Sequence, residues 1–161
     1  MAKAAIGVGG SLGDREATVR AALAALGELP RTRLLAASRL HETAPVGGVA
    51  QRPFINACAV VDTDLPPREL LDELLRIETR FDRVRIARWE DRTLDLDLLL
   101  YDDLVLDDPA CTIPHPEMHR RAFVLAPLAE IAGEWVVPGL GKTVGELLRV
   151  VAAEPGEERP H

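Results

Sequence analysis

Apolar residues recur along the chain in short blocks whose spacing switches between two and about 3.6 residues, the pattern of strands alternating with helices. Ala4 to Val8 reads as a short strand ending in the glycine turn GGSLGD. From Asp14 to about Leu29 the positions Val19, Leu23 and Leu26 recur at helical spacing, with acidic residues in the first turn, and Pro30 stops that helix. Leu34 to Glu42 and Phe54 to Asp62 read as the second and third strands. Between them APVGGVAQRP forms a Gly- and Pro-rich loop of about ten residues, long enough to act as a lid. Pro66 and Pro67 open the next helix at the position proline tolerates best. Its stripe Leu70, Leu74, Ile77 and Phe81 predicts one face packed on a core. An arginine-rich loop, Asp82 to Arg92, leads into a strand over Thr93 to Tyr101, with a short strand around Leu104 to Leu106 expected as its hairpin partner. Helices are expected from about His119 to Ile131 and from about Val144 to Val151, followed by a polar tail that frays from residue 152. No internal repeat or linker divides the chain, so residues 1–161 read as a single domain. The fold class expected is α+β, a mostly antiparallel sheet flanked by helices.

Composition narrows the function classes. With 161 residues, 47% hydrophobic and 28% charged, the chain has enough apolar surface for one core and does not resemble a disordered sequence. Its net charge of −7 argues against non-specific binding to nucleic acid or anionic membrane. There is no apolar run of about 18 residues and no N-terminal signal pattern, so neither a membrane span nor export is expected. Cys58 and Cys111 lack metal-ligand spacing and read as reduced thiols of a cytoplasmic protein. Two glycine motifs are decoys. GLGKT lacks the earlier glycine of a phosphate-binding loop, since position 136 is Val, and reads as a turn with Thr143 capping the last helix. GVGGSLG would need its third dinucleotide-motif glycine at Leu12.

The stretch RWEDRTLDLDLLLY, residues 88–101, carries the chemistry. A leucine-rich strand containing Asp95 and Asp97 raises the cost of a buried carboxylate, which a partner must offset. Strand alternation puts both aspartates on one face with Cα atoms roughly 6.6 Å apart, a spacing suited to one or two hard cations such as magnesium. A half-exposed strand with a solvated acidic face is the plain alternative. Six arginines, at 76, 80, 83, 85, 88 and 92, precede the pair in an otherwise acidic protein. Arginine grips phosphate in a bidentate fork, so this set facing metal-binding carboxylates fits a polyphosphate. Trp89 among them suits a lid or stacking surface. Downstream, His115 lies between two prolines, and Arg121 and Phe123 offer a further cation and aromatic ring.

Taken in order, these segments resemble the 6-hydroxymethyl-7,8-dihydropterin pyrophosphokinase family, from about Ala5 to Leu148. The resemblance rests on residues 9–14 (GGSLGD), 42–47 (ETAPVG), 54–56 (FIN), Arg88-Trp89, 92–97 (RTLDLD), 113–116 (IPHP) and 121–123 (RAF). It implies a ferredoxin-like fold and transfer of pyrophosphate from ATP to a pterin alcohol, releasing AMP. By the same likeness Asp95 and Asp97 bind two magnesium ions, and Arg83 and Arg92 stabilise the transferring group. Glu78, Arg85, Arg88, Trp89, Leu98, Thr112, His115 and Arg121 are implied at the ATP site. Thr43, Ala44, Pro45, Val46, Phe54, Asn56 and Phe123 are implied at the pterin pocket. Phe54 and Phe123 suit stacking on a flat heterocycle, and the Asn56 amide suits its ring donors and acceptors. A monomer is the default expectation. The chain departs from the family pattern at His41, where tyrosine is common, and at Glu90-Asp91, which replace a common Gly-Pro. Two rivals are another magnesium-dependent phosphotransferase, which would release ADP, and a silent nucleotide- or pterin-binding module.

Overall fold

Alternation in the first apolar block sets the central strand. β1 (Ala2–Gly10) extends beyond Ala4 to Val8 at both ends; Ala4, Ala5, Ile6, Val8 and Gly10 are buried, and Gly7 and Gly9 are partly exposed. The computed structural model describes residues 1–10, 15–43, 54–84 and 94–153. β1 pairs antiparallel with β4 (Phe54–Thr63) on one side and with β5 (Leu94–Tyr101) on the other. β2 (Thr32–Ala37) and β3 (His41–Thr43) both pair antiparallel with β4. The strand order is β2-β4-β1-β5, which leaves β5 at an edge. The architecture is α+β with an antiparallel main sheet flanked by helices.

The two faces of the sheet are covered differently. On the first face, Ala4, Ile6 and Val8 of β1 and the alternate residues Ile55, Ala57, Ala59 and Val61 of β4 meet two helices. These are α1 (Arg15–Leu26), through Val19, Leu23 and Leu26, and α2 (Pro67–Val84), through Leu70, Leu74 and Ile77. The expected stripes face the core, with Phe81 at the rim. Burying each such leucine stabilises by about 1.5–3 kcal/mol. On the second face, Ala5, Cys58, Val60, Leu99 and Leu100 pack against α3 (Ala122–Ala132) and α4 (Val144–Ala152). Leu99 is an extra residue on β5, since Ala5 lies opposite Leu100 while Ile6 lies opposite Leu98. That bulge breaks strict alternation and turns Leu99 and Leu100 into the same core.

Several sequence expectations need correction. The strand expected over Leu34 to Glu42 is two strands, broken where Ser38 inserts its hydroxyl into the ladder. Cys58 N–H donates to Ser38 Oγ (2.9 Å), Ser38 N–H donates to Cys58 O (2.8 Å), and Ser38 Oγ donates to Arg39 O (2.8 Å). Leu104 to Leu106 does not form a hairpin with β5. After β5 the chain turns through Asp102 in the left-handed region (φ 50), and Asp102 is tied to Lys3 by a backbone and a side-chain hydrogen bond. The hairpin forms further on, between β6 (Leu106–Asp108) and β7 (Cys111–Ile113). α1 ends at Leu26 rather than Leu29, because Gly27 and Glu28 bond to carbonyls three residues back and tighten the last turn. The helix expected from His119 begins as a 3₁₀ turn over Met118–Arg120. Extended Arg121 (φ −119, ψ 102) breaks it before α3.

GLGKT is a turn, as read: Gly139 (φ 87) and Gly141 (φ 68) lie in the left-handed region. That turn joins β8 (Val136–Val137) to β9 (Lys142–Thr143), a hairpin the sequence reading missed. Thr143 caps α4, accepting from Glu146 N–H while the Glu146 carboxylate accepts from Thr143 N–H. Among the described residues no helix is long and apolar enough to cross a membrane.

Candidate active site

α3 and α4 cover only part of the second sheet face. The uncovered part is a two-row grid fixed by strand register. Asn56 of β4, Gly9 of β1 and Asp95 of β5 lie side by side, and Cys58, Gly7 and Asp97 form the next row. Because β1 places glycine at both central positions, no side chain stands between the amide and the carboxylates. A cavity of about 210 Å³ opens there, lined by Gly7, Gly9, Phe54, Asn56, Cys58, Asp95 and Asp97 from the sheet. Arg121, Phe123 and Val124 close it from the start of α3. The space over Gly9 is tight: a Cβ there would sit 3.1 Å from Asn56 Oδ1.

The aspartates share a face, as alternation requires, while Leu94, Leu96 and Leu98 point into the first core. The expectation that they are buried is wrong. Asp95 is exposed and the Asp97 side chain retains 47% of its accessible surface, so no burial penalty has to be offset. They are open at the cavity mouth, where hard-cation ligands keep access to water and phosphate oxygens. Among the described residues no three His, Cys, Asp or Glu gather into a metal-binding group. A pair of carboxylates that leaves the remaining positions to phosphate and water fits magnesium rather than a closed structural metal.

His115 stands beside the pair, with Nε2 3.9 Å from Asp97 Oδ1. Its backbone N–H donates to Leu99 O (3.0 Å), and Nδ1 accepts from Glu117 N–H (3.1 Å). Burial pushes the imidazole below its ordinary pKa against the pull of Asp97, with Arg121 adding to the lowering. The ring is therefore neutral at pH 7, and with Nδ1 accepting, its proton is on Nε2 facing the carboxylate. The Arg121 guanidinium lies 5.8 Å from the Phe123 ring centroid, a cation–π pair at the cavity wall.

Other implied residues fall elsewhere. Glu78 on α2 accepts from Leu96 N–H (2.6 Å), satisfying an outward amide of edge strand β5. The Leu98 side chain is buried in the first core, so only its backbone is available to a ligand beside β5. Thr112 on β7 is exposed and donates to Asp108 O (3.1 Å), away from the cavity. The backbone of Thr43 ends β3, while its side chain and that of Arg83 lie outside the described part. Ala44, Pro45, Val46, Arg85, Arg88, Trp89, Glu90, Asp91 and Arg92 lie outside the described residues.

Sequence reasoning missed the floor and one flank. Gly7 and Gly9 were set aside with a failed dinucleotide motif, although two glycines on one strand face already mark a slot. Cys58, 1% exposed, lines the cavity, and its thiol is pushed up by burial and then by Glu130 and Asp97, which keeps it protonated.

A family model for 7,8-dihydro-6-hydroxymethylpterin-pyrophosphokinase matches residues 5–133. The chain belongs to this family. A 2-amino-4-hydroxy-6-hydroxymethyldihydropteridine pyrophosphokinase of Pseudomonas aeruginosa is 43% identical over 155 residues, covering 96% of this chain and 95% of that protein. The protein of the same description from Haemophilus influenzae is 41% identical over 152 residues, 94% of either chain. The crystal structure of Plasmodium falciparum HPPK-DHPS aligns with a TM-score of 0.73 at 15% identity, over 95% of this chain and 44% of that longer one. That likeness bears on the fold alone. As a pyrophosphokinase of this family, the protein has its two aspartates, Phe54 and Phe123 lining one cavity, with Asn56 and the aspartates on opposite sides of a glycine floor.

Proposed function

We propose that the cavity over Gly7 and Gly9 is the acceptor pocket of the pyrophosphokinase reaction, in which pyrophosphate passes from magnesium-bound ATP to 6-hydroxymethyl-7,8-dihydropterin in folate biosynthesis. The observation that carries the reading is the common cavity of Phe54, Asn56 and Phe123 with Asp95 and Asp97. The pterin ring lies between Phe54 and Phe123, with the Asn56 amide matching its ring donors and acceptors. Its hydroxymethyl group then points along the floor towards the aspartates. Asp95 and Asp97 hold two magnesium ions. Magnesium bound there supplies charge neutralisation for the triphosphate and eases loss of the hydroxyl proton.

The hydroxymethyl oxygen attacks the β-phosphorus in line and AMP leaves. Positioning outweighs base strength in such a step. The aspartates, Arg83 and Arg92 supply fixed charge where the transferring group gathers it. Neutral His115, its Nε2 proton towards Asp97, and Arg121 flank the triphosphate. Glu78, Arg85, Arg88, Trp89, Thr112 and the backbone of Leu98 bind the rest of the nucleotide, and Thr43, Ala44, Pro45 and Val46 complete the pterin side. With β2 and β3 counted as one strand broken at Ser38, the main sheet and its helices run βαββαβ, which supports a ferredoxin-like assignment. We read the chain as a single catalytic domain, monomeric and cytoplasmic.

The test is to incubate the protein with ATP, magnesium and the pterin alcohol and follow the nucleotide products. Pterin-dependent AMP is expected. ADP, or no turnover by folded protein that binds nucleotide, would overturn the assignment.

A further inference from the structure

One carboxylate outside the cavity gathers four donors. Glu130, in the last turn of α3, accepts from Arg39 N–H at Oε1 (2.9 Å) and from the Arg39 guanidinium at Oε2 (3.3 and 3.2 Å). It also forms a short contact with His41 Nε2. An acid in the last turn opposes the helix dipole, and α3 has no basic residue there. Its donors offset that cost: although burial raises the Glu130 pKa, the Arg39 N–H, His41 and the Arg39 side chain together bring it below the ordinary value. Arg39 lies in the break between β2 and β3 that Ser38 opens, and His41 starts β3. His41 lies opposite Asn56, extending the row Asn56, Gly9, Asp95 by one strand. About two helical turns before Glu130, the same α3 presents Phe123 and Val124 to the cavity. Glu130 therefore joins the strand flanking Asn56 to the helix carrying the opposite wall.

We propose that Glu130 is a positioning residue for the pterin acceptor: through Arg39 and His41 it fixes the β2–β3 break against α3 and so sets the gap between Asn56 and Phe123. The proposal rests on the reading of the cavity as the pterin pocket. It touches neither the aspartates nor the nucleotide side, so its effect falls on the acceptor. Loss of the clamp widens and loosens the pocket, while pterin that does bind still reacts.

The experiment measures kcat, KM for pterin alcohol, KM for ATP and thermal stability in Glu130→Ala, Glu130→Gln and His41→Phe. Thr143→Ala, which loses only the α4 cap, controls for lost stability. Glu130→Ala is expected to raise the pterin KM about tenfold, equivalent to about 1.4 kcal/mol, with ATP KM and kcat each within about twofold. Glu130→Gln, which keeps an acceptor for Arg39 N–H, is expected to restore part of the loss, and it carries the test if the alanine variant does not fold. Asn56→Ala separates the two layers of the argument. If it leaves pterin KM unchanged, the pocket reading fails. If it raises pterin KM, and Glu130→Ala in that background raises it no further, Glu130 acts through Asn56 as proposed. Lower thermal stability with unchanged pterin KM, as expected of Thr143→Ala, would reduce Glu130 to a structural residue and overturn the proposal.

Discussion

Replacing Gly9 by alanine separates ligand binding from folding. Gly9 is the penultimate residue of β1, outside the left-handed region, so alanine is compatible with its backbone. Restricting the unfolded chain then stabilises the fold by about 0.4–1 kcal/mol. Against that, the new Cβ would sit 3.1 Å from Asn56 Oδ1, closer than carbon and oxygen rest comfortably, so the amide must give by a few tenths of an ångström. That shift costs little in an open cavity, and the thermal midpoint should change by less than about 3 °C in either direction. Binding suffers more. The methyl group stands on the slot floor and moves the amide assigned to the ring edge. Loss of one well-aligned hydrogen bond, about 0.5–1.5 kcal/mol, corresponds to a pterin KM raised about two- to thirteenfold. Steady-state kinetics with each substrate varied, alongside a thermal melt, gives both readings. An unchanged pterin KM would refute the floor assignment. A midpoint lowered by many degrees would show that strain, not the ligand, explains the glycine.

Asp97→Ala should abolish pterin-dependent AMP release, while urea unfolding changes by no more than about 0.5 kcal/mol, as for a solvated surface position. Thr143→Ala should cost about 1 kcal/mol in urea unfolding, because Glu146 N–H loses the hydroxyl that caps it while the backbone N–H of residue 143 keeps its bond to the Glu146 carboxylate. Acid should weaken the Glu130 clamp. Its carboxyl titrates below the ordinary 4.5 in the folded protein, so its stabilisation is complete above 4.5 and is lost as pH falls through the folded value. In Glu130→Gln that part of the acid-induced loss should disappear from urea titrations carried below pH 4.5.

Local periodicity made much of this legible. The faces of Asp95 and Asp97, the Leu70–Leu74–Ile77 stripe and the Thr143 cap each follow from spacings of a few residues. The break at Ser38 does not, because its hydrogen bonds run to Cys58 and its anchor is Glu130, both remote in sequence. The misassigned hairpin has the same origin: Asp102 turns the chain towards Lys3, a contact that the pattern after Tyr101 cannot reveal. The aspartates were expected to be buried because a leucine-rich strand suggests two covered faces. How far α3 reaches across the second face is a tertiary fact, and it leaves both carboxylates open.

The two-row grid also ties activity to correct folding. Its residues come from three distant stretches of chain, and strand side chains repeat every second residue. A slip of one residue in β1 would replace Gly7 and Gly9 on the cavity face with Ile6 and Val8, filling the slot with branched side chains. Such a chain could keep its secondary structure and compactness while having no place for a substrate. Enzyme activity regained after dilution from denaturant therefore counts molecules in the right register, which spectroscopic probes of helix content would not distinguish. A pterin ligand present during refolding binds only that register, and would draw the population towards it by mass action.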